Sequence, residues 1–232
     1  MEKYDIVYIL KNDISTDEIR YSLRSVEANL PCRKVWIYGG KPKGIEPDEY
    51  VRVYQTGDSR YDKVTNTIRK VCMNDEITDK FWLFNDDFFV MQKAEDTTPK
   101  ASGTIAERVQ YIIDRHGFKS KYAKRLEHTA EILRSNGYDT ICYAVHLPML
   151  IDRRIALEAL DRFPGEPMFR CIYGNYAKEP ADIGPDVKVF GNEDPLKNTV
   201  YLSTDDAAFQ NNAGRYIRGA FPDPSRWEAG HA

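Results

Sequence analysis

The chain has 232 residues, 42% of them hydrophobic and 30% charged, which is enough to bury the core of one large domain and lacks the apolar depletion of a disordered chain. Its formal net charge of −3 leaves no global positive field to hold a polyanion, which argues against a general nucleic-acid binder. No apolar stretch approaches the ~20 residues that a bilayer requires.

The opening MEKYDIVYIL enters a strand-like run with no leader pattern, and Cys32, Cys72, Cys142 and Cys171 show no metal-type or redox spacing. Both features set the expectation of a cytoplasmic chain with isolated thiols. Residues 4–10 form a continuous apolar run, as in a strand covered on both faces. Residues 15–30 then place Ile19, Leu23, Val26 and Leu30 at helical spacing, with Ser15, Thr16, Asp17 and Glu18 as caps and first-turn acids. Pro31 falls just after this helix.

Residues 34–38 predict a second buried strand closed by Gly39-Gly40. Residues 50–54 predict a third, more exposed strand because it carries Arg52. Residues 62–73 read as a helix on Val64, Ile68 and Val71, and residues 81–84 as a fourth strand that delivers Asn85-Asp86-Asp87 at its carboxyl end. The polar stretch 93–103 is expected to be a mobile loop acting as a lid beside those carboxylates. Two helices follow, 104–115 and 119–134, the second striped by Tyr122, Leu126, Ala130 and Leu133; they suggest a helical insertion over about 104–136.

Residues 141–147 predict a strand, 153–163 a helix, 168–173 and 187–190 extended pieces, and 199–203 a last strand before Asp205-Asp206. A short helix ends near Phe221, ahead of Pro222 and Pro224. This alternation predicts a single α/β domain over 1–228, with a mostly parallel twisted sheet flanked by helices and a tail at 229–232.

Ligands of open parallel sheets bind outside the carboxyl ends of the strands, which makes Asp86 and Asp87 the first candidates. Two adjacent carboxylates in WLFNDDFFVM are costly to desolvate unless a cation or protons compensate them. One reading is an oxygen-ligated Mg²⁺ or Mn²⁺; the other is a strand-end turn in which the aspartates cap local amides.

Three blocks, DEIRYSLRSVEANLP (17–31), FWLFNDDFFVM (81–91) and AVHLPMLIDRR (144–154), occur in that order. Together they resemble the Stealth-type sugar-phosphate transferases and related GT-A-like glycosyltransferases. The family's pattern of an LRS helix, an NDD after a strand and a later H-x-P falls here on Leu23-Arg24-Ser25, Asn85-Asp86-Asp87 and His146-Leu147-Pro148. The family's tryptophan- and glycine-containing opening is replaced by YILKND (8–13). The expected reaction is therefore metal-dependent transfer of the sugar alone, from a nucleoside-diphosphate sugar to an acceptor hydroxyl.

The resemblance implies a GT-A-like fold, donor binding by Asp13, Arg24, Asn85, Asp86 and Arg170, and Mn²⁺ or Mg²⁺ on Asp86, Asp87 and His146. His146, Asp205 and Asp206 are the candidate catalytic groups. Arg24 is a planar fork suited to phosphate, or else a surface ion pair. His146 is a base, a metal ligand or a phosphate contact, or else structural. Asp205 and Asp206 offer an acceptor base, or else helix caps and first-turn acids. Arg170, Arg215 and Arg218 rank behind Arg24 for phosphate. Lys119, Lys121, Lys124 and Arg125 make a basic cluster that reads as a polyanion site or a solvated face. Alternative functions are hexose-1-phosphate transfer onto a glycan, glycosylation of a hydroxymethylated pyrimidine in viral DNA, and a noncatalytic nucleotide-sugar-binding module.

Overall fold

The structure, a computed structural model, describes residues 2–12, 17–57, 59–165 and 167–230. In chain order the elements are β1 (Asp5–Ile9), α1 (Glu18–Asn29), β2 (Val35–Gly39), β3 (Glu49–Arg52), α2 (Arg60–Cys72), β4 (Lys80–Phe84), β5 (Phe88–Val90), β6 (Lys100–Ala101), α3 (Ile105–His116) and α4 (Lys121–Ser135). Then follow β7 (Met149–Asp152), α5 (Arg153–Arg162), α6 (Phe169–Tyr176), β8 (Asp182–Ile183), β9 (Lys188–Val189), β10 (Tyr201–Thr204), α7 (Asp206–Gln210) and α8 (Asn212–Ala220). Among the described residues no helix is long and apolar enough to cross a membrane.

The continuous apolar runs become the centre of a five-stranded sheet in the order β3-β2-β1-β4-β7, parallel except for β7. Alternating side chains explain why these runs carry no polar face. Ile6, Tyr8, Val35, Ile37, Trp82 and Phe84 pack with Ile19, Leu23 and Val26 of α1. Val7, Trp36, Tyr38, Phe81 and Leu83 pack on the other face with Ile68 and Val71 of α2. Each such side chain contributes about 1.5–3 kcal/mol of burial, so helices on both faces follow from the pattern.

Helix α2 starts at a capping box in which Ser59 and Asp62 each bond the other's backbone amide. The α1 caps expected at Ser15 and Thr16 lie outside the described residues. Gly39 and Gly40 let residues 10–12 cross the end of β2: a Cβ on Gly39 would stand 2.0 Å from Leu10 O, and one on Gly40 2.4 Å from Lys11 O.

A second sheet, β5-β10-β9, packs beside the first and fastens to α1. Ser22 donates to Phe88 O (2.5 Å), Val90 N donates to Ser25 Oγ (2.9 Å), and Asn29 donates to Val90 O (2.7 Å). Ser22, Ser25 and Asn29 of α1 thus set where the chain goes after Asp86 and Asp87.

Three expectations are corrected. Residues 141–147 are buried but form no strand beyond an isolated bridge at Ile141, because their backbone groups find other partners. Ile141 pairs through both N and O with the Asn175 side chain (2.9 Å each), Cys142 exchanges bonds with residues 102 and 103, and His146 N donates to Asp186. The sheet's edge is instead β7, antiparallel to β4. Residues 168–173 belong to α6, whose Phe169, Ile172 and Tyr173 are buried at helical spacing. Finally, residues 93–103 are tied down rather than free: Ala94 N bonds Asn29 O (3.1 Å), and β6 pairs with β8.

Asn175, 4% exposed, also donates to Cys171 O (2.8 Å). Asn175→Ala is expected to lower stability by about 1–3 kcal/mol, because it leaves buried backbone groups of Ile141 unpaired. A urea midpoint shifted down at unchanged slope checks this.

Candidate active site

At Phe84 the chain leaves β4 on the carboxyl edge of the sheet and turns back through Asn85, Asp86 and Asp87 into β5, with Phe88 N donating to Asn85 O (3.4 Å). Asn85 is exposed, while Asp86 and Asp87 are half-buried. Because β10 lies antiparallel to β5 with Ser203 opposite Phe88, residues 203–206 reach the same edge. Asp87 Oδ2 accepts from Lys188 Nζ of β9 (2.8 Å) and Ser203 Oγ (3.3 Å). Asp87 therefore already has a cation.

No ion pair reaches Asp86 among the described residues. Burial, and then the neighbouring Asp87, push its carboxyl from the ordinary 3.8 up to about 6; a backbone amide and Lys11 oppose the shift. Glu18, at the start of α1, is 3% exposed and accepts from Thr204 Oγ1 (2.9 Å). Burial raises it to about 7, with Asp86, Asp87 and Asp206 adding in the same direction. Glu18, Asp86, Asp87 and Asp206 thus form one repelling carboxylate group at the sheet's edge. Asp5, by contrast, is buried at the amino edge and compensated by Arg33 (2.5 Å) and the Trp36 indole (3.0 Å), which makes it a structural acid.

The other expected residues scatter. Asp205 caps α7, accepting from Ala208 N (2.7 Å) and Gly191 N (3.1 Å), so its carboxylate is committed to amides, and only Asp206 faces the group. Arg24 is held away from it: its fork grips Glu228 (2.7 and 2.8 Å), and Nη1 donates to Phe221 O and Pro222 O. Those bonds replace the phosphate contact expected of it.

Arg170 lies beneath the site, donating to Leu147 O and Leu83 O and stacking on the Phe88 ring at 5.4 Å. Burial lowers it to about 10, while Asp87 and Asp186 pull it back up. Arg170 therefore stands between two anions. Arg218 stacks on Phe209 (4.9 Å) and Arg215 bonds Asn212, and among the described residues neither forms an ion pair with the carboxylates. Asp13 lies outside the described residues.

His146 does not join Asp86 and Asp87; its Nδ1 is 2.8 Å from Asp186 Oδ2. Among the described residues no three His, Cys, Asp or Glu side chains gather around a common metal position, so the expected three-ligand set does not assemble. This still fits a magnesium-type site, which uses one or two carboxylates and completes its shell with substrate phosphate and water. The repelled Asp86, without an ion pair among the described residues, is the group that such a cation would relieve.

Glu18, Lys188 and Asp186 were not identified from sequence as site residues. Glu18 reads as a first-turn acid, and its only clue is its place just after the β1–α1 connection. Asp186 and Lys188 alternate with Val187 and Val189, a period-two pattern that puts both on one side of an extended segment. In the basic cluster, Tyr122 turns inward to Ala144 O (3.3 Å), Lys119 pairs with Glu127 (2.6 Å), and Arg125 covers the Tyr61 ring at 4.2 Å.

No family model and no curated protein matches the chain. Among solved structures it is similar to the galactosyltransferase LgtC in complex with donor and acceptor sugar analogues, with TM-score 0.49, 11% identity, and coverage of 96% of this chain and 98% of that one. It is likewise similar to an active-site mutant of LgtC, with TM-score 0.45, 12% identity and the same coverage.

Proposed function

We propose that this chain is a glycosyltransferase that moves a sugar from a nucleoside-diphosphate sugar to an acceptor hydroxyl. The observation that carries the reading is the carboxylate group at the carboxyl edge of the parallel sheet, where Asp86 is held up at about 6 without an ion pair among the described residues. Such an arrangement is unfavourable by itself and becomes favourable when a cation bridges protein and substrate phosphates. Asp86 would hold Mn²⁺ or Mg²⁺. Bound there, the ion would supply neutralisation of the charge that collects on the departing diphosphate.

The chain's own groups then divide the work. Lys188 pairs with Asp87 and orients it (2.8 Å), which leaves Asp86 as the carboxylate without an ion pair among the described residues. Arg170 fixes the carbonyls of Leu83 and Leu147 and so anchors β4 to the segment bearing His146. His146, whose side chain is 31% exposed, would take the acceptor's proton.

The test is a calorimetric screen of nucleoside-diphosphate sugars with and without Mn²⁺, followed by identification of the nucleotide released on turnover. Metal-dependent binding with release of nucleoside diphosphate is the expected result. Release of a monophosphate would assign sugar-phosphate transfer instead, and failure to bind any donor would overturn the reading.

A further inference from the structure

We propose that Asp186 is a positioning residue for the transfer reaction, clamping His146 at two points so that Nδ1 carries the ring proton and Nε2 is presented to the acceptor hydroxyl. The proposal rests on the glycosyltransferase reading and adds to it a residue, a tautomer and a ring orientation.

The clamp is geometric. Asp186 Oδ1 accepts from the His146 backbone amide (3.1 Å), and Oδ2 lies 2.8 Å from Nδ1 of the same residue. Anchoring backbone and ring to one carboxylate leaves the imidazole little freedom to rotate. A cation fixes the carboxylate itself: Arg108 Nη2 of α3 donates to Oδ2 (2.9 Å) and is stacked over Tyr111 at 5.3 Å. Burial works to raise the Asp186 carboxyl, but the bonds from His146 more than offset this and leave it at about 2. An ionised carboxylate only accepts, so Nδ1 must be the donor.

Two further observations separate this from a plain ion pair. The Arg108–Asp186 pair, with side chains 14% and 12% exposed, joins α3 to the β9 segment without any help from a histidine. His146 is the more exposed partner at 31%, and its Nε2 has no hydrogen bond among the described residues. The dyad is linked to the carboxylate site through the β9 segment and Arg170. Lys188, two residues after Asp186 on the same side of an extended segment, holds Asp87, and the Arg170 charge lies under the influence of both Asp87 and Asp186.

The step balances as follows. The acceptor oxygen bonds to the anomeric carbon while that carbon's bond to the diphosphate oxygen breaks, and the electron pair leaves with the diphosphate. The hydroxyl proton passes to Nε2, giving an imidazolium against Asp186 that is stabilised by the same contact that oriented it.

The experiment combines steady-state kinetics with ¹⁵N spectra of the imidazole nitrogens, the His146 signals being assigned with His146→Gln. Wild type is expected to show the Nδ1–H tautomer, and Asp186→Asn to lose it. Asp186→Asn should cut kcat by about 10²-fold or more, with donor KM changed by no more than about 3-fold, since a misoriented base affects the transition state and not ground-state binding. Adding Asp186→Asn to His146→Gln should cost almost nothing further, because the two act as a unit. An Nε2–H tautomer in wild type, which needs no variant to fold, overturns the proposal, as does an unchanged kcat in folded Asp186→Asn. Wild type that shows the Nδ1–H tautomer but turns over no donor overturns the glycosyl-transfer reading, and the proton-accepting role with it.

Discussion

Asp86→Asn is expected to be nearly inactive and more stable than wild type at neutral pH. Losing one preorganised charge at a leaving group costs roughly 10²–10³ in rate, so kcat/KM should fall by that factor and the Mn²⁺ dependence of donor binding should disappear. The stability gain follows from the same carboxyl group. Folding raises Asp86 from the ordinary 3.8 to about 6, so the folded state binds more protons than the unfolded chain between those values.

Stability in wild type therefore declines as pH rises from about 4 to about 6, and the penalty is complete above 6. At 1.36 kcal/mol per unit the penalty is at most about 3 kcal/mol, and water around a half-buried carboxylate reduces it to about 1–2 kcal/mol. Denaturation midpoints at pH 7.5 should favour the variant by that amount, and the two proteins should converge near pH 4. A variant that is inactive but no more stable at pH 7.5 would remove the repulsion argument. One that keeps its metal-dependent turnover would remove the site.

Glu228→Gln is expected to be the most destabilising single change, and Arg24→Met nearly its equal. The pair joins α1 to the far end of the chain by a bidentate fork of 2.7 and 2.8 Å, with Arg20 adding a contact at 3.3 Å and Ser225 N donating at 2.8 Å. Arg24 and Glu228 are 10% and 7% exposed, and leaving either charge buried alone costs about 2–4 kcal/mol. For a chain of this size that lowers Tm by about 5–15 °C.

Burial works to raise the Glu228 carboxyl, but Arg24 and the Ser225 amide more than offset this and leave it below its ordinary value. Its contribution is thus present above the unfolded pKa and lost as pH falls through the folded one. Melting curves of both variants against pH measure this directly. Below the transition, Arg24→Met should keep its donor KM within about 3-fold, since the arginine binds protein and not donor. A large rise in donor KM with unchanged Tm would return Arg24 to the phosphate.

How much was legible depended on where each residue's partner lies. The NDD strand was readable because Phe81, Trp82, Leu83 and Phe84 are all buried, and a segment covered on both faces has to be apolar throughout. Arg24 was not, since its partner Glu228 lies 204 positions away and a fork suits a carboxylate as well as a phosphate. Residues 141–147 have the composition of a strand, but side-chain partners 34 and 40 positions on, at Asn175 and Asp186, take the bonds that a ladder would have used.

Composition and period alone determined the α/β class, the mostly parallel sheet, the helices on its two faces and the delivery of Asp86 and Asp87 to a strand's carboxyl end, because all of these follow from which side chains must leave water. The tertiary structure decided which charges meet. It gave Asp87 to Lys188, His146 to Asp186 and Arg24 to Glu228, and left Asp86 among other acids. Charged side chains tolerate many partners, and only the packing of distant segments chooses among them.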